Sequence, residues 1–203
     1  MQNFDHLTPE KLDANPLNQF LKWYEQAEKS QIKYPEAMTL ATATTSGVPS
    51  ARVVLYKGLS GDGLRFFTNY RSRKGKELKK NPKAMVVFYW ANLDRQIHIE
   101  GKIEELSAAE SDEYWNTRPK ESRINSLASP QSSPIPDRAF FEKKVSELQT
   151  KFPLEDVPRP KHWGGYRLLP QRFEFWVAGD FRFHDRFEYV KKAKVWTIAR
   201  LAP

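Results

Sequence analysis

The run MVVFYWANLDRQIHIEGKI, residues 85–103, predicts two adjacent strands of an antiparallel sheet. Met85 to Ala91 and Gln96 to Ile103 are rich in β-branched and aromatic residues, and Asn92-Leu93-Asp94 between them is typical of a hairpin connection. In the second strand the isoleucines at 97 and 99 alternate with polar residues, so one face is apolar and the other polar. The polar face fits a cavity lining and a solvent face equally well.

Strands at hairpin spacing continue on both sides of this run, with helices inserted between them. Further strands are predicted at 38–44, 51–57, 64–68, 164–169, 172–177, 181–190 and 195–201. Helices are expected to begin after the N-cap residues Asn15, Ser72, Ser107 and Asp137, and residues 120–136 are expected to form an ordered loop. The pattern indicates a closed antiparallel barrel in an α+β domain.

Length and composition narrow the class of protein. With 203 residues the chain is one domain of ordinary size, and its 13 Phe, 8 Tyr and 6 Trp favour strands and flat-ring ligands. The absence of cysteine excludes disulfides and thiolate metal sites and fits a reducing cytoplasm. We expect no membrane span and no signal peptide. The net charge of +8 indicates acidic partners, which could be nucleic acid, anionic lipid or phosphorylated small molecules.

The run Arg182-Phe183-His184-Asp185-Arg186 is the strongest functional signal. On a strand, Arg182, His184 and Arg186 would project from one face, with Phe181, Phe183 and Phe187 on the other face against a core. Such cationic and proton-donating groups repel one another unless an anion lies between them, and the arginine fork suits phosphate and carboxylate. The alternative is a solvated strand face.

A second basic run opens a predicted helix. Ser72 is the expected N-cap, so Arg73 and Lys74 lie in the first helical turn, where cations oppose the helix dipole. Free N–H groups and two basic side chains at that end form an anion site once a phosphate is bound. A solvated basic helix is the alternative.

Two further groups could bind an anion or a flat ring. Tyr114 and Arg118 are four residues apart on one helix face, with Ser122 just beyond, and all three are hydrogen-bond donors to phosphate. The strand from Arg52 to Lys57 carries a cation at each end, and Gln131-Ser132 adds polar side chains. Both groups also have a purely structural interpretation. Tyr114 could be a half-buried tyrosine beside an exposed Arg118, and the strand from Arg52 to Lys57 could be a core strand whose ends reach water.

Other functional signatures are missing from the sequence. The histidines at 6, 98, 162 and 184 have no metal-ligand spacing, so we expect no metal site. There is no GxGxxG, no P-loop and no nucleophile elbow.

Taken in order, these residues resemble the pyridoxine/pyridoxamine 5′-phosphate oxidase family, over about residues 16–203. The matching runs are Arg52 to Lys57, Phe67-Thr68-Asn69, Ser72-Arg73-Lys74-Gly75, Arg95-Gln96, Ser107 with Tyr114 and Arg118-Pro119, Ser129 with Gln131-Ser132, Val157-Pro158, Trp163-Gly164-Gly165, Glu174-Phe175-Trp176, Arg182 to Arg186, and Arg200-Leu201-Ala202-Pro203. No single run is decisive, but the ordered set is specific.

The resemblance implies a homodimeric, FMN-binding antiparallel split β-barrel with peripheral helices, formed by residues 16–203, after an N-terminal segment 1–15 that could be flexible. It implies an oxidase that converts pyridoxine or pyridoxamine 5′-phosphate to pyridoxal 5′-phosphate, with O2 reduced to H2O2. The implied FMN contacts are Arg52, Val53, Val54, Leu55, Tyr56, Lys57, Phe67, Thr68, Arg73, Lys74, Gln96, Gln131, Ser132, Trp176 and Arg186. The implied substrate contacts are Lys57, Tyr114, Arg118 and Ser122 for the phosphate, with Arg182 and His184, the implied catalytic residues, at the ring.

The chain departs from the family pattern at several points. Met1 to Ala14 lacks the Arg-x-x-Tyr and Gly-Gly-Leu of the usual N-terminal segment. Where the family often reads Gln-Ile-Gly-Ala-Trp, this chain has Arg123-Ile124-Asn125-Ser126-Leu127, and Val177-Ala178 replaces Gln-Gly. Phe183 replaces a usual leucine.

Three rival functions remain open at this level. One is an FMN oxidase of the same fold acting on another heteroaromatic ring, which retention of Tyr114, Arg118 and Ser122 disfavours. Another is a non-catalytic binder of FMN or pyridoxal phosphate. A nucleic-acid binder is suggested only by charge and aromatic content, and we expect neither nucleic acid nor membrane as a partner.

Overall fold

The structure is a computed structural model that describes residues 6–153 and 156–203. Its strands are β1 (Ala37–Ala43), β2 (Pro49–Leu55), β3 (Leu59–Ser60), β4 (Gly63–Asn69), β5 (Lys83–Trp90), β6 (Arg95–Glu105), β7 (Trp163–Val177), β8 (Asp185–Lys192) and β9 (Val195–Leu201). Its helices are α1 (Pro16–Lys29), α2 (Arg73–Lys80), α3 (Ala108–Thr117), α4 (Lys120–Ala128) and α5 (Arg138–Lys151).

All strands belong to one antiparallel sheet that branches at β7. The main path runs β2-β1-β5-β6-β7-β4-β3, with β8 on β7 and β9 on β8. The first half of β7 pairs with β4 and its second half pairs with β8. Strand β6 pairs with β7 along the whole length of β6. The α+β antiparallel fold is thus confirmed, but residues 163–177 form one long strand where two were predicted.

The sheet does not close into a complete barrel, so the expected closed barrel is wrong. Among the described residues no ladder joins β2 to β4. Strand β2 ends at Leu55, and beyond it the chain approaches β4 through hydrogen bonds from Lys57 N–H to the Arg65 carbonyl and from Arg65 N–H to the Gly58 carbonyl, both 2.9 Å. Gly58 has φ +80°, a conformation that glycine adopts without strain, and it turns the chain toward β4.

Aromatic side chains fill the interior. Phe20 on α1, Phe88 on β5 and Phe175 on β7 are completely buried, and each such ring contributes roughly 1.5–3 kcal/mol by leaving water. A smaller cluster joins α3, α4 and the start of β7 and contains Trp115 and Trp163. These two clusters fix the elements that carry the site. No helix in the described part of the chain is long and apolar enough to span a membrane.

Residues 120–128 form α4, so the loop predicted for 120–136 is wrong in its first half. Ile124 of α4 is buried in the smaller cluster, and Leu127 and Ala128 follow at the next helical positions. Pro119 occupies the N-cap position, and no side chain caps the helix there, so the usual start signal is missing. The N-caps predicted at Asn15, Ser72, Ser107 and Asp137 are all confirmed.

Candidate functional site

A cleft of about 530 Å³ lies between β2, β4, the start of α2, and helices α3 and α4. We call it the main cleft. The predicted site residues that line it are Val53, Val54, Leu55, Lys57, Phe67, Thr68, Lys74, Tyr114, Arg118, Ser122 and Gln131. The fold therefore brings together residues from five separate runs of the sequence.

Lys74 is a buried cation on the wall of the main cleft. The Ser72 hydroxyl accepts the Gly75 N–H and starts α2, which places Lys74 in the first turn with only 8% of its surface exposed. Its Nζ donates to Thr68 Oγ1 at 3.3 Å, and Thr68 donates in turn to Gln131 Oε1 at 3.2 Å. Burial, and then the charge of Arg52, lowers the pKa of Lys74. No described carboxylate pairs with it, so an anionic ligand fits here.

Arg52 and Arg73 differ from Lys74 because a buried carboxylate holds both. Glu77 of α2 accepts from Arg73 Nε at 2.9 Å and lies 3.5 Å from Arg52 Nη2. Thr42 and Ser50 also donate to Glu77, at 2.5 and 2.6 Å. Burial alone would raise the pKa of Glu77, but the hydrogen bonds from Ser50, Thr42 and Arg73 and the charge of Arg52 lower it to about 2. Neither arginine lines the main cleft, and no sequence pattern pointed to Glu77.

Arg118 is the second cation of the cleft wall that pairs with no carboxylate of residues 6–153 and 156–203. Its guanidinium lies over Trp163 and Trp115, 4.6 and 5.1 Å from the ring centroids. Nη2 donates to the Ser122 carbonyl at 3.1 Å and to Ser126 Oγ at 2.9 Å. Nη1 is buried without a hydrogen-bond partner. Burial lowers the pKa of Arg118. A buried donor left unpaired is costly, so a ligand oxygen fits at this position.

A stack of three rings lies beside Arg118. Tyr114 stacks on Phe67 with centroids 3.8 Å apart, and the ring of Trp163 is nearly parallel to both. Burial raises the pKa of Tyr114, so its hydroxyl stays a protonated donor at neutral pH. Tyr56 instead points into the core, where it packs against Phe20, so its side chain cannot reach a ligand in the cleft.

Five of the predicted residues outside the main cleft lie on or next to β6, β7 and β8, and we call them the β6–β8 group: Gln96, Trp176, Arg182, His184 and Arg186. Gln96, Trp176 and Arg186 are neighbours across β6, β7 and β8. Arg186 donates to the buried Glu174 at 2.8 Å and to the Ala202 carbonyl at 2.9 Å. Ser132 also lies outside the cleft, exposed and with φ +69°.

The strand predicted for residues 181–190 begins only at Asp185, so Arg182 and His184 precede it. The prediction that Arg182, His184 and Arg186 share one strand face is therefore wrong. Asp180–Arg182 form a tight turn with φ +53° at Phe181 and +67° at Arg182. Phe181 is 99% and Phe183 74% exposed, and only Phe187 packs in the core as expected. The chain doubles back here: a Cβ on Gly179 would lie 2.0 Å from the Phe183 carbonyl.

This turn fixes the orientation of His184. The Gly179 N–H donates to His184 Nδ1 at 3.1 Å, and the imidazole lies 4.7 Å from the Trp176 ring, centroid to centroid. Because Nδ1 accepts a hydrogen bond, the neutral imidazole carries its proton on Nε2. His184 can therefore offer a hydrogen bond from Nε2.

The structure adds cleft residues that sequence reasoning missed, among them Asn125, Ser126 and Phe141. Asn125 and Ser126 belong to α4, which was expected to be loop. Ser122 and Ser126 are four residues apart and so share a helix face. That spacing is a signal only once the helix is known.

Comparisons with known proteins find relatives by sequence and by fold. Residues 24–152 match a family model described as pyridoxamine 5′-phosphate oxidase, and residues 163–203 match the pyridoxine 5′-phosphate oxidase C-terminal dimerisation region. A pyridoxine/pyridoxamine 5′-phosphate oxidase of Ralstonia pickettii (strain 12J) is 51% identical over 193 residues, covering 95% of this chain and 91% of the relative.

Solved structures extend the comparison. PhzG from Burkholderia lata 383, solved with tetrahydrophenazine-1-carboxylic acid, has a TM-score of 0.92 at 33% identity and covers 98% of both chains. A pyridoxamine 5′-phosphate oxidase-related, FMN-binding protein from Nostoc punctiforme has a TM-score of 0.75 at 18% identity, covering 95% of this chain and 100% of its own. The second likeness concerns the fold alone.

Proposed function

Since this chain belongs to the pyridoxine/pyridoxamine 5′-phosphate oxidase family, we propose that it oxidises pyridoxine 5′-phosphate, pyridoxamine 5′-phosphate or both to pyridoxal 5′-phosphate. The protein is an FMN-dependent oxidoreductase. When bound, FMN would supply the acceptor for the hydride that leaves the C4′ carbon of the substrate, with O2 as the final oxidant. The alcohol and O2 give the aldehyde and H2O2, and the amine, O2 and water give the aldehyde, ammonia and H2O2.

One observation carries the proposal: two cations of the main cleft, on different elements, pair with no carboxylate in the part of the chain that the structure describes. Lys74 lies at the start of α2 and Arg118 follows α3. A phosphorylated flavin and a phosphorylated substrate bring two separate phosphates. We assign the flavin phosphate to Lys74 and its helix terminus, and the substrate phosphate to Arg118, Tyr114, Ser122 and Lys57.

The remaining assignments follow the expectations from sequence. Residues of β2 and β4 and the Thr68–Gln131 pair would hold the flavin along the cleft, with Arg52 and Arg73 near its phosphate. Gln96, Trp176, Ser132 and Arg186 would complete the cofactor contacts, and Arg182 and His184 would hold the substrate ring. The stacked Phe67, Tyr114 and Trp163 form an apolar wall that limits water at the reacting rings.

We also propose that the enzyme is a homodimer in which each site combines the main cleft of one subunit with the β6–β8 group of the other. The two sets of residues are separate on one chain, and the turn at Phe181 and Phe183 exposes large apolar side chains. The match of residues 163–203 to a dimerisation region supports the same arrangement. A cytoplasmic location is a further proposal, with the absence of cysteine as its support.

In this arrangement His184 acts by position. Its Nε2–H can donate to a polar substituent of the substrate ring, while Arg182 supplies a positive charge beside it. The chain then holds the C4′ carbon in contact with the flavin ring, and orientation accounts for much of the rate.

The direct test is aerobic turnover by the FMN-loaded protein, followed by absorbance of pyridoxal 5′-phosphate. Pyridoxine 5′-phosphate and pyridoxamine 5′-phosphate are compared as substrates, and H2O2 is measured in parallel. We expect turnover of at least one of them. A yellow protein that retains FMN without turnover of either would refute the substrate assignment.

A second candidate is oxidation of a phenazine-like ring, which the similarity to PhzG favours. Arg118 Nη1 alone does not decide between the two candidates, because a ligand carboxylate can accept from it as a phosphate can, so what disfavours this candidate is the presence of Tyr114, Arg118 and Ser122 together in the cleft. Turnover of a dihydrophenazine carboxylate in the absence of activity on the phosphorylated vitamers would favour this candidate.

A further inference from the structure

The departure of this chain from its family at residues 123–127 lies on the wall of the main cleft. Ser126 is on the same face of α4 as Ser122, and both side chains line the cleft beside Arg118. Ser126 stands where the common family sequence has alanine, so its hydroxyl is an addition of this chain. It changes the surroundings of Arg118, the arginine among the described residues that line the main cleft.

The geometry points to Ser126 as a positioning residue for recognition of the substrate phosphate. Arg118 Nη2 donates to Ser126 Oγ at 2.9 Å and to the Ser122 carbonyl at 3.1 Å. These two acceptors use the donors of Nη2 and leave Nη1 as the unsatisfied nitrogen. The Trp163 and Trp115 rings restrain the plane of the guanidinium. Ser126 therefore sets the rotation of the fork within that plane.

The same hydroxyl has a second use. A serine that accepts from a guanidinium still has its own O–H to donate, and Ser126 faces the cleft. A phosphate bound at Arg118 Nη1 could accept that hydrogen bond as well. The inference rests on the proposed function, because it assigns the ligand at Arg118 as the phosphate of the substrate.

The test compares wild-type and Ser126→Ala enzymes, both loaded with FMN. KM is measured for the phosphorylated vitamer that the wild type prefers, and Kd is measured for the product pyridoxal 5′-phosphate. We expect both constants to rise about fivefold, the effect of one ordinary hydrogen bond, with kcat changed less than about twofold. Ser126→Thr keeps the hydroxyl and should restore both constants.

Two controls separate phosphate recognition from a general effect on the fold. Unphosphorylated pyridoxamine has no group for Arg118, so its kcat/KM should be equal in wild-type and Ser126→Ala enzymes. Ser146→Ala removes an exposed hydroxyl on α5, outside the cleft, and should change nothing. Unchanged KM and Kd in Ser126→Ala, or equal losses with both substrates, would overturn the role of Ser126. A wild-type enzyme without turnover would instead refute the proposed function.

Discussion

The cations of the candidate site fall into two kinds at the scale of single residues. Arg52 and Arg73 share Glu77, and Arg186 is paired with Glu174, so their charge is offset before any ligand binds. Lys74 and Arg118 have no carboxylate partner in the described part of the chain, and Lys74 as a whole and Nη1 of Arg118 are buried. The paired arginines shape the site, whereas Lys74 and Arg118 give it its net positive charge. The second kind should therefore govern affinity for phosphate.

Lys74→Met tests this division because it should change binding and stability in opposite directions. Loss of a charge-assisted bond should weaken FMN binding by a factor of about 10 or more, while riboflavin, which lacks the phosphate, binds as before. The apoprotein should gain roughly 1 kcal/mol, since an unpaired buried ammonium is replaced by an apolar chain. Fluorescence titration and urea unfolding measure the two effects.

Lys76→Met is the matched control for Lys74→Met, because Lys76 is exposed on the same helix. It should leave FMN affinity unaltered. Equal weakening of FMN and riboflavin in Lys74→Met would mean that Lys74 does not contact the phosphate.

His184→Ala should slow turnover without emptying the flavin site. His184 is held by the Gly179 N–H and the Trp176 ring and is proposed to orient the substrate. We expect kcat/KM to fall roughly tenfold or more, the range of positioning effects, with unchanged flavin absorbance per subunit. His162→Ala, outside the cleft, is the control. An Arg182→Ala enzyme with full activity would count heavily against positioning by this turn.

At the scale of elements, Glu77 joins helix α2 to strands β1 and β2. It accepts from Thr42 on β1, Ser50 on β2 and Arg73 on α2 itself. These contacts connect the helix that starts at Ser72 to the edge of the sheet that forms one wall of the cleft. The same carboxylate thus contributes to stability and to the placement of two arginines.

The low pKa of Glu77 predicts acid sensitivity of this connection. The folded-state pKa of about 2 lies below the ordinary value of 4.5, so the stabilisation is complete above about pH 4.5 and is lost as pH falls toward 2. Glu77→Gln should be less stable than wild type at pH 7, and the two should converge by about pH 2. Urea unfolding of the apoprotein between pH 7 and 2.5 measures the difference.

A difference between wild type and Glu77→Gln that stays constant over this pH range would refute ionic stabilisation. Glu110→Gln is a useful comparison, because hydrogen bonds from Ser60 and Ser107 also lower the pKa of Glu110 to about 2. Glu110 lies at the start of α3 and should show the same acid dependence without an effect on Arg52 or Arg73.

The elements that the sequence predicted well are those specified locally. The N-caps at Asn15, Ser72, Ser107 and Asp137 are decided by residues within one helical turn, and the hairpin at 92–94 by its flanking strands. The same locality explains why Tyr114, Arg118 and Ser122 could be grouped in advance. Helical spacing was enough for Tyr114 and Arg118, although Arg118 is the C-cap residue just past α3, whereas Ser122 lies on α4 and was grouped with them only because it follows closely in the sequence.

The failures arise where tertiary contacts override the local pattern. The alternation from Phe181 to Phe187 favours a strand, but the close approach of Gly179 to the Phe183 carbonyl bends the chain into positive φ. Helix α4 has no side-chain cap and depends on Ile124 packing against Trp115 and Trp163. Glu77 and Ser126 act through partners distant in sequence or on an unpredicted helix, so periodicity could not identify them.

At the scale of the whole molecule, the main cleft and the β6–β8 group are separate parts of one chain. Strand β7 begins at Trp163 in the cleft wall, where it pairs with β4, whereas the β6–β8 group lies at its other end, where Trp176 is next to Gln96 and Arg186. Val53 on β2 is 65% exposed, and Phe181 and Phe183 are more so. Apolar surface of this kind near two incomplete halves of a site is what an obligate, self-complementary interface presents. The proposed dimer joins the halves and covers these side chains.

Mixed dimers test this arrangement. Arg118→Ala disables the main cleft and Arg182→Ala disables the β6–β8 group, so each homodimer should be nearly inactive. A heterodimer of the two variants, isolated through different affinity tags, contains one site with both substitutions and one site with neither if each site combines two subunits. We therefore expect about half of the wild-type activity per dimer. If each site lay within one chain, every site would carry one substitution, and the heterodimer would be as inactive as its parents. Sedimentation of the wild type as a monomer would contradict the arrangement independently of activity, because the two halves could then never meet.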